Sequence, residues 1–160
     1  MFPFCCFFQL PYFSHNIFLL VIGSYNEAKI AIEEVLKRAR SLDDKLTAYL
    51  HHILCQCDQT RDYSIATEEG VRILNIYGYG IPSSPTQIYM MKEEVKLKMA
   101  LRNCSYSCLN DLQVTDEPIF SLFGHVMKNA LFASKERLLR IIAWKAIQFA
   151  LKKGVDRYAR

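Results

Sequence analysis

The seven residues HHILCQC, His51 to Cys57, carry the densest set of groups in the chain that could bind a metal or act as a nucleophile. His51 and Cys55 stand four residues apart, so a helix puts the imidazole and the thiol on one face, a spacing that can share a zinc ion. A structural zinc site takes four ligands. No second pair is marked, because Cys104 and Cys108 lie far along the chain with no histidine beside them. His51 and Cys55 are therefore read as part of a helical core or surface, with no metal held. His125 stands alone on a mixed helix face and reads as a packed or solvated residue, not as a base.

Nucleotide and acyl-transfer chemistry have less support. No glycine-rich run is followed by Lys-Ser or Lys-Thr, and no kinase catalytic loop occurs. Ser64, Ser83 and Ser84 lack the glycines of a nucleophile elbow. The expectation is a protein that is not an enzyme, with no catalytic residue and no cofactor. The 20 basic and 16 acidic side chains are interleaved, so no dense basic face points to nucleic acid. Cys5 and Cys6, Cys55 and Cys57, and Cys104 and Cys108 form short-range pairs without a secretory signal. They read as reduced thiols of a cytoplasmic protein. Residues 1–26 hold no Asp, Glu, Lys or Arg, yet a basic leader and a small-residue cleavage site are both missing. Pro3, Gln9, Pro11 and the trio Ser14, His15 and Asn16 interrupt any membrane span. Attachment to a membrane through residues 1–23 stays as an alternative to a chain without a membrane anchor.

The elements that would position these residues follow from periodicity. Tyr25, Ala28, Ile32, Val35, Leu36 and Ala39 step by three and four along one helix face, with Glu33–Lys37 and Glu34–Arg38 on the solvated side. Each of the six stripe positions returns 38 residues on, as Tyr63, Ala66, Gly70, Ile73, Leu74 and Tyr77. Between the two stripes, Leu42, Leu46, Tyr49, Leu50, Ile53, Leu54 and Cys57 form another helical face. A repeat of this length built from two helices is the pattern of a solenoid, in which each hairpin buries its apolar face on a neighbour. On this reading Ala28 and Ala66 are small where the facing helix of the same hairpin approaches, and Tyr25 and Tyr63 fill the wider space at the turn. Gly78, Gly80, Pro82 and Pro85 stop the third helix. Beyond them Ile88, Met91, Val95 and Met99 give the next helix its apolar face. The fold expected is all-α, a right-handed α-solenoid of helix hairpins. Its helices fall near 24–39, 42–57, 60–77, 86–102, 116–132 and 135–152, and no segment alternates as a strand would.

From about Phe18 to Arg160 the chain resembles tetratricopeptide-type repeats, with Gly23, Tyr25 and Ala28 at the turn and start of a second repeat helix. In order, YNEAKIAIEEVLKRARSLDDKLTAYL, RDYSIATEEGVRILNIYGYGIPSSP, LNDLQVTDEP and WKAIQFALKKGVDRYA resemble the helical-repeat segment of large multidomain signalling proteins. Those proteins join a serine/threonine kinase-like domain, an AAA (STAND-like) ATPase, the repeats, a GAF domain and a sensor histidine kinase. The resemblance implies a repeat domain over 18–160, preceded by an untypical apolar stretch at 1–17. It also implies a module that contacts partners or relays state between neighbouring domains, with no chemistry of its own.

Two surfaces are expected to serve that role. One is the concave face lined by the first helices of each pair, with Lys45, Tyr49 and His52 on it. The other is an uncapped C-terminal end, where the apolar arc of residues 138–150 leaves Ile141 and Phe149 as candidate contacts. The partner expected is an ATPase- or kinase-containing signalling protein, or a second copy of the chain. The alternative is a structural spacer or remnant without activity of its own.

Overall fold

A computed structural model of the chain describes residues 23–102, 114–115, 118–153 and 155–156. These residues form six helices and one very short ladder: α1 Tyr25–Arg38, α2 Leu42–Thr60, α3 Tyr63–Ile76, α4 Gln87–Arg102, α5 Pro118–Phe132, α6 Glu136–Lys153, and strands β1 Val114–Thr115 and β2 Val155–Asp156. Every helix starts and ends within about three residues of the bounds read from the sequence, the uncertainty inherent in any helix terminus. The ladder departs from the expectation of no strand. Val114 pairs with Val155 and Thr115 with Asp156, in parallel, so the chain entering α5 is tied to the chain leaving α6. Two residues per strand are far below the five or six of an ordinary strand, and the class remains all-α. Residues 1–17, Cys104 and Cys108 lie outside the described residues.

The chain divides into two compact units, Met1–Asp62 and Tyr63–Arg160. In the first, α1 and α2 pack as a hairpin. Ser41 opens α2 with a capping box: its hydroxyl accepts from the Asp44 amide, and the Asp44 carboxylate accepts from the Ser41 amide. Ala28, Ile32, Ala48 and Cys55 form the core, flanked by Tyr25, Val35 and Leu36. The small residues Ala28 and Ala48 meet across this hairpin. The hairpin is also pinned at its open end, where the Cys55 thiol donates to the Tyr25 carbonyl at 3.5 Å.

In the second unit the neighbours are not those expected. The sequence reading begins a new helix pair at 86–102, with 116–132 next in line, whereas α3 packs chiefly against α5, α5 against α6, and α6 against α4. The order across the unit is α3–α5–α6–α4. The connection between α3 and α4 explains the separation, because it is a built loop and not a tight turn. Gly78 and Gly80 adopt φ of 87° and 58°. The Asn75 amide then clamps Ile81, donating to its carbonyl at 2.8 Å and accepting from its N–H at 2.6 Å. Ile81 is buried by this clamp, and Tyr89 reaches back from α4 to donate its hydroxyl to the Gly80 carbonyl at 2.6 Å.

Helices α3 and α5 run antiparallel. Tyr63 at the start of α3 lies against Phe132 at the end of α5, with ring centroids 5.0 Å apart. Tyr79, past the end of α3, meets Phe123 near the start of α5 edge-on at 4.8 Å. Midway, Gly70 gives a close approach: a Cβ built there would overlap Val126 Cγ2. Gly70→Ala should therefore lower stability by about 1–3 kcal/mol, although alanine is the better helix former by about 1 kcal/mol. Urea unfolding of Gly70→Ala and of the double variant with Val126→Ala checks this, the double variant recovering part of the loss.

The α5–α6 corner is closed by Ser134, whose φ of 55° is left-handed. Its N–H donates to the Leu131 carbonyl at 3.0 Å, and the Lys135 N–H donates to the Ala130 carbonyl at 2.9 Å. Ser134 thus ends α5.

Candidate functional site

Helix α4 has two apolar faces, and they have opposite fates. At about 100° per residue, Met90, Glu93 and Leu97 share one side and Ile88, Met91, Val95 and Met99 the other. The first set is buried, Glu93 to 1% exposure. The second is exposed: Ile88 79%, Met91 59%, Val95 55% and Met99 62%. This reverses the sequence reading, which gave the core to the second set.

The reason is electrostatic. Lys145 on α6 is itself largely buried and places Nζ 2.8 Å from Glu93 Oε2, while Lys96 places Nζ 2.6 Å from Oε1. Burial pushes the Glu93 carboxyl up, but hydrogen bonds and charge from Lys145 and Lys96 outweigh it and hold the group below the usual carboxylate range. An ammonium buried on α6 needs a carboxylate, and Glu93 is the one that α4 supplies. Turning Glu93 inward necessarily turns the stripe of Ile88, Val95 and their neighbours outward.

The outward stripe has a charged border. Lys92 and Lys98 lie on either side of it, about 60° from its centre line, and Arg102 continues its far end. Lys98 is paired with Glu94 of its own helix at 2.7 Å. Beside the stripe, a groove of about 440 Å³ runs between α4 and α6, lined by Met90, Met91, Glu94, Arg137, Arg140 and Trp144, with Gln87 and Glu136 at its rim. Trp144 is the chain's single tryptophan and is half-buried there. The groove has no nucleophile and no acid–base pair. What it offers is contact area, with guanidinium groups along one wall.

No protein-family model, curated protein or solved structure matches this chain.

The residues singled out in the sequence fall as follows. Gly23 precedes α1 with φ of 79°, the left-handed value that favours glycine. Ala28 and Ala66 are fully buried, and Tyr25 and Tyr63 are half-buried. Ile141 is fully buried, and Phe149 sits among aromatic rings, 5.0 Å from Phe120 and 6.2 Å from Tyr79. Neither forms an exposed end, because α5 and α4 both pack on α6, although Ile147 of the same arc stays 40% exposed. Lys45, Tyr49 and His52 are half-buried on α2.

His51 and Cys55 are both buried, and burial lowers the His51 pKa. Burial, with Asp58 adding to it and Lys29 opposing, raises that of the Cys55 thiol. This is the opposite of what activates a thiolate. Among the described residues no group of three or more His, Cys, Asp or Glu could hold a metal ion. His125 is half-buried, its pKa lowered by burial and by Lys128. Among the described residues no helix is long and apolar enough to cross a membrane.

Glu93, Lys145, Trp144 and the outer face of α4 are what sequence reasoning missed as a site. One signal was present: Glu93 is the lone charge between Met90 and Leu97 on a second apolar face.

Proposed function

We propose that this chain is a non-catalytic helical interaction module that holds a protein partner on the outer face of α4. One observation carries the reading: four large apolar side chains stand more than half exposed in a single file on a helix anchored from behind by a buried ion pair. Scattered exposed hydrophobic residues need no explanation, but a contiguous patch on a rigid element is the usual mark of an interface.

The architecture proposed is a tetratricopeptide-like helical repeat. It is supported by the sequence period and by the matched burial of Ala28 with Ala66 and of Ile32 with Gly70. The second unit is then a variant of the repeat in which α3 takes α5 as its neighbour. The sequence resemblance supports a partner among ATPase- or kinase-containing signalling proteins, and the spacing of the cysteines supports a cytoplasmic setting. The interface moves from the C-terminal arc to α4, since Ile141 and Phe149 are packed inside.

A photo-crosslinking residue at position 95 should trap discrete protein adducts in cells, whereas one at exposed Lys37 on α1 should trap none. Indistinguishable adduct patterns at the two positions would count against the assignment.

A further inference from the structure

Resting on that reading, we infer that the partner presents an amphipathic helix whose apolar stripe is bordered by aspartate or glutamate, laid along α4 with its flank over the Trp144 groove. The spacing is the first argument. Ile88, Met91, Val95 and Met99 step by three, four and four residues and span about 16 Å, the spacing of an 11-residue repeat, which keeps the file on one face for a helix laid alongside. Two of the four are methionines, whose unbranched side chains adapt to another surface.

Charge decides what kind of helix. Lys92 and Lys98 border the stripe on both sides, Arg102 extends it, and Arg137 and Arg140 line the groove beside it. Among the described residues, the carboxylates that line the groove are Glu94 and Glu136, and each is already within ion-pair distance of a base, Lys98 at 2.7 Å and Arg140 at 4.0 Å. Among the described residues Lys92, Arg102 and Arg137 are left as surplus positive charge, which complementary acidic flanks would meet.

The same border disfavours a second copy of the chain. Two α4 helices packed face to face would set Lys92 and Lys98 of one against Lys92 and Lys98 of the other, and facing like charges suppress a pairing. An anionic bilayer is disfavoured by the make-up of the face. Helices that lie in the interface carry Trp, Phe or Leu on the apolar side, whereas this stripe is Ile, Met, Val and Met, and Trp144 is set back in the groove between α4 and α6.

The test uses the full chain and three probes. The first is a fluorescein-labelled 18-residue peptide with leucines at the same three–four–four spacing and glutamates beside them. The second is the same peptide with lysines in place of the glutamates, and the third is vesicles of phosphatidylcholine with phosphatidylserine. Fluorescence anisotropy should show the glutamate peptide binding on the order of tenfold tighter than the lysine peptide, the preference weakening as salt is raised. The Lys92→Glu, Lys98→Glu double variant should reverse the preference. Met91→Ser with Val95→Ser should abolish binding of both peptides without lowering the thermal midpoint, because these side chains are solvent-exposed.

Equal binding of the two peptides, lost in the serine variant, would overturn the acidic partner and leave the interaction module standing. Peptide binding that the serine variant retains, or no binding of either peptide, would overturn both. Vesicle binding that exceeds peptide binding, or a dimer in sedimentation that the serine variant dissolves, would overturn the acidic-helix proposal in favour of lipid or of a second copy.

Discussion

Lys145→Met should lower stability at neutral pH by about 3–5 kcal/mol, the cost of leaving a buried carboxylate without its main partner. Glu93 is 1% exposed, and Lys145 is the partner that reaches it from another helix. Lys96 stays within 2.6 Å in the variant, but its side chain is about half exposed and it tethers Glu93 only to its own helix. The pH dependence has a definite sign. In the native chain the folded-state pKa of Glu93 lies below the usual carboxylate range. Its contribution is therefore full above that range and is lost as pH falls through the folded value. In Lys145→Met, burial acts with only one ammonium against it, and the pKa of Glu93 rises. Acidification then protonates the stranded carboxyl, so the gap between variant and native protein should narrow as pH falls. Glu93→Leu combined with Lys145→Met should restore most of the stability, since removing a whole buried pair costs far less than breaking it. Urea unfolding at neutral and mildly acidic pH provides the measurement. Equal midpoints for native chain and Lys145→Met at neutral pH would mean that the pair does not anchor α4 to α6.

The same pair marks the limit of what the sequence discloses. Helix positions were legible because stripes such as Tyr25–Ala28–Ile32 and Tyr63–Ala66–Gly70 leave one apolar face each, and a helix with one such face has one way to turn. Helix α4 has two. Ile88, Met91, Val95 and Met99 form the longer file, but Met90 and Leu97 form another on the opposite side, with Glu93 between them. Periodicity alone favours the longer file. The choice is made by Lys145, which lies 52 positions further on and belongs to α6, so it enters no local window. Ile141 and Phe149 illustrate the converse. Their wide apolar arc is a correct sign that α6 needs neighbours on more than one side, and α4 and α5 are those neighbours. The arc reads as an open end only if helices pair in chain order. Chain order fails at the clamp between Asn75 and Ile81, where the loop leaving α3 is fastened down and α5 takes the place beside α3. A single asparagine in a loop gives no periodic signal from which that could be read.

Ala28→Trp and Ala66→Trp should each cost the fold about 3 kcal/mol or more, at the upper end of overpacking effects, while Ala31→Trp should change stability by less than about 1 kcal/mol. Ala28 and Ala66 are each 0% exposed, and Ala31 is only partly buried. Ala28 sits in the cluster with Ile32, Ala48 and Cys55, where an indole has no room unless α1 and α2 part. The helix that holds Ala66 is close enough to its neighbour one turn further on for Gly70 to meet Val126, so α3 cannot withdraw without losing that contact as well. The two sites lie in different compact units, and this makes the expectation sharper than a change in a single midpoint. Amide hydrogen exchange should show faster opening of α1 and α2 for Ala28→Trp, and of α3 and α5 for Ala66→Trp, because α2 and α5 are the helices that face the substituted ones. If Ala66→Trp instead loosened α4 and spared α5, the neighbours in the second unit would be those of chain order, and the outward stripe on α4 would lose its explanation with them.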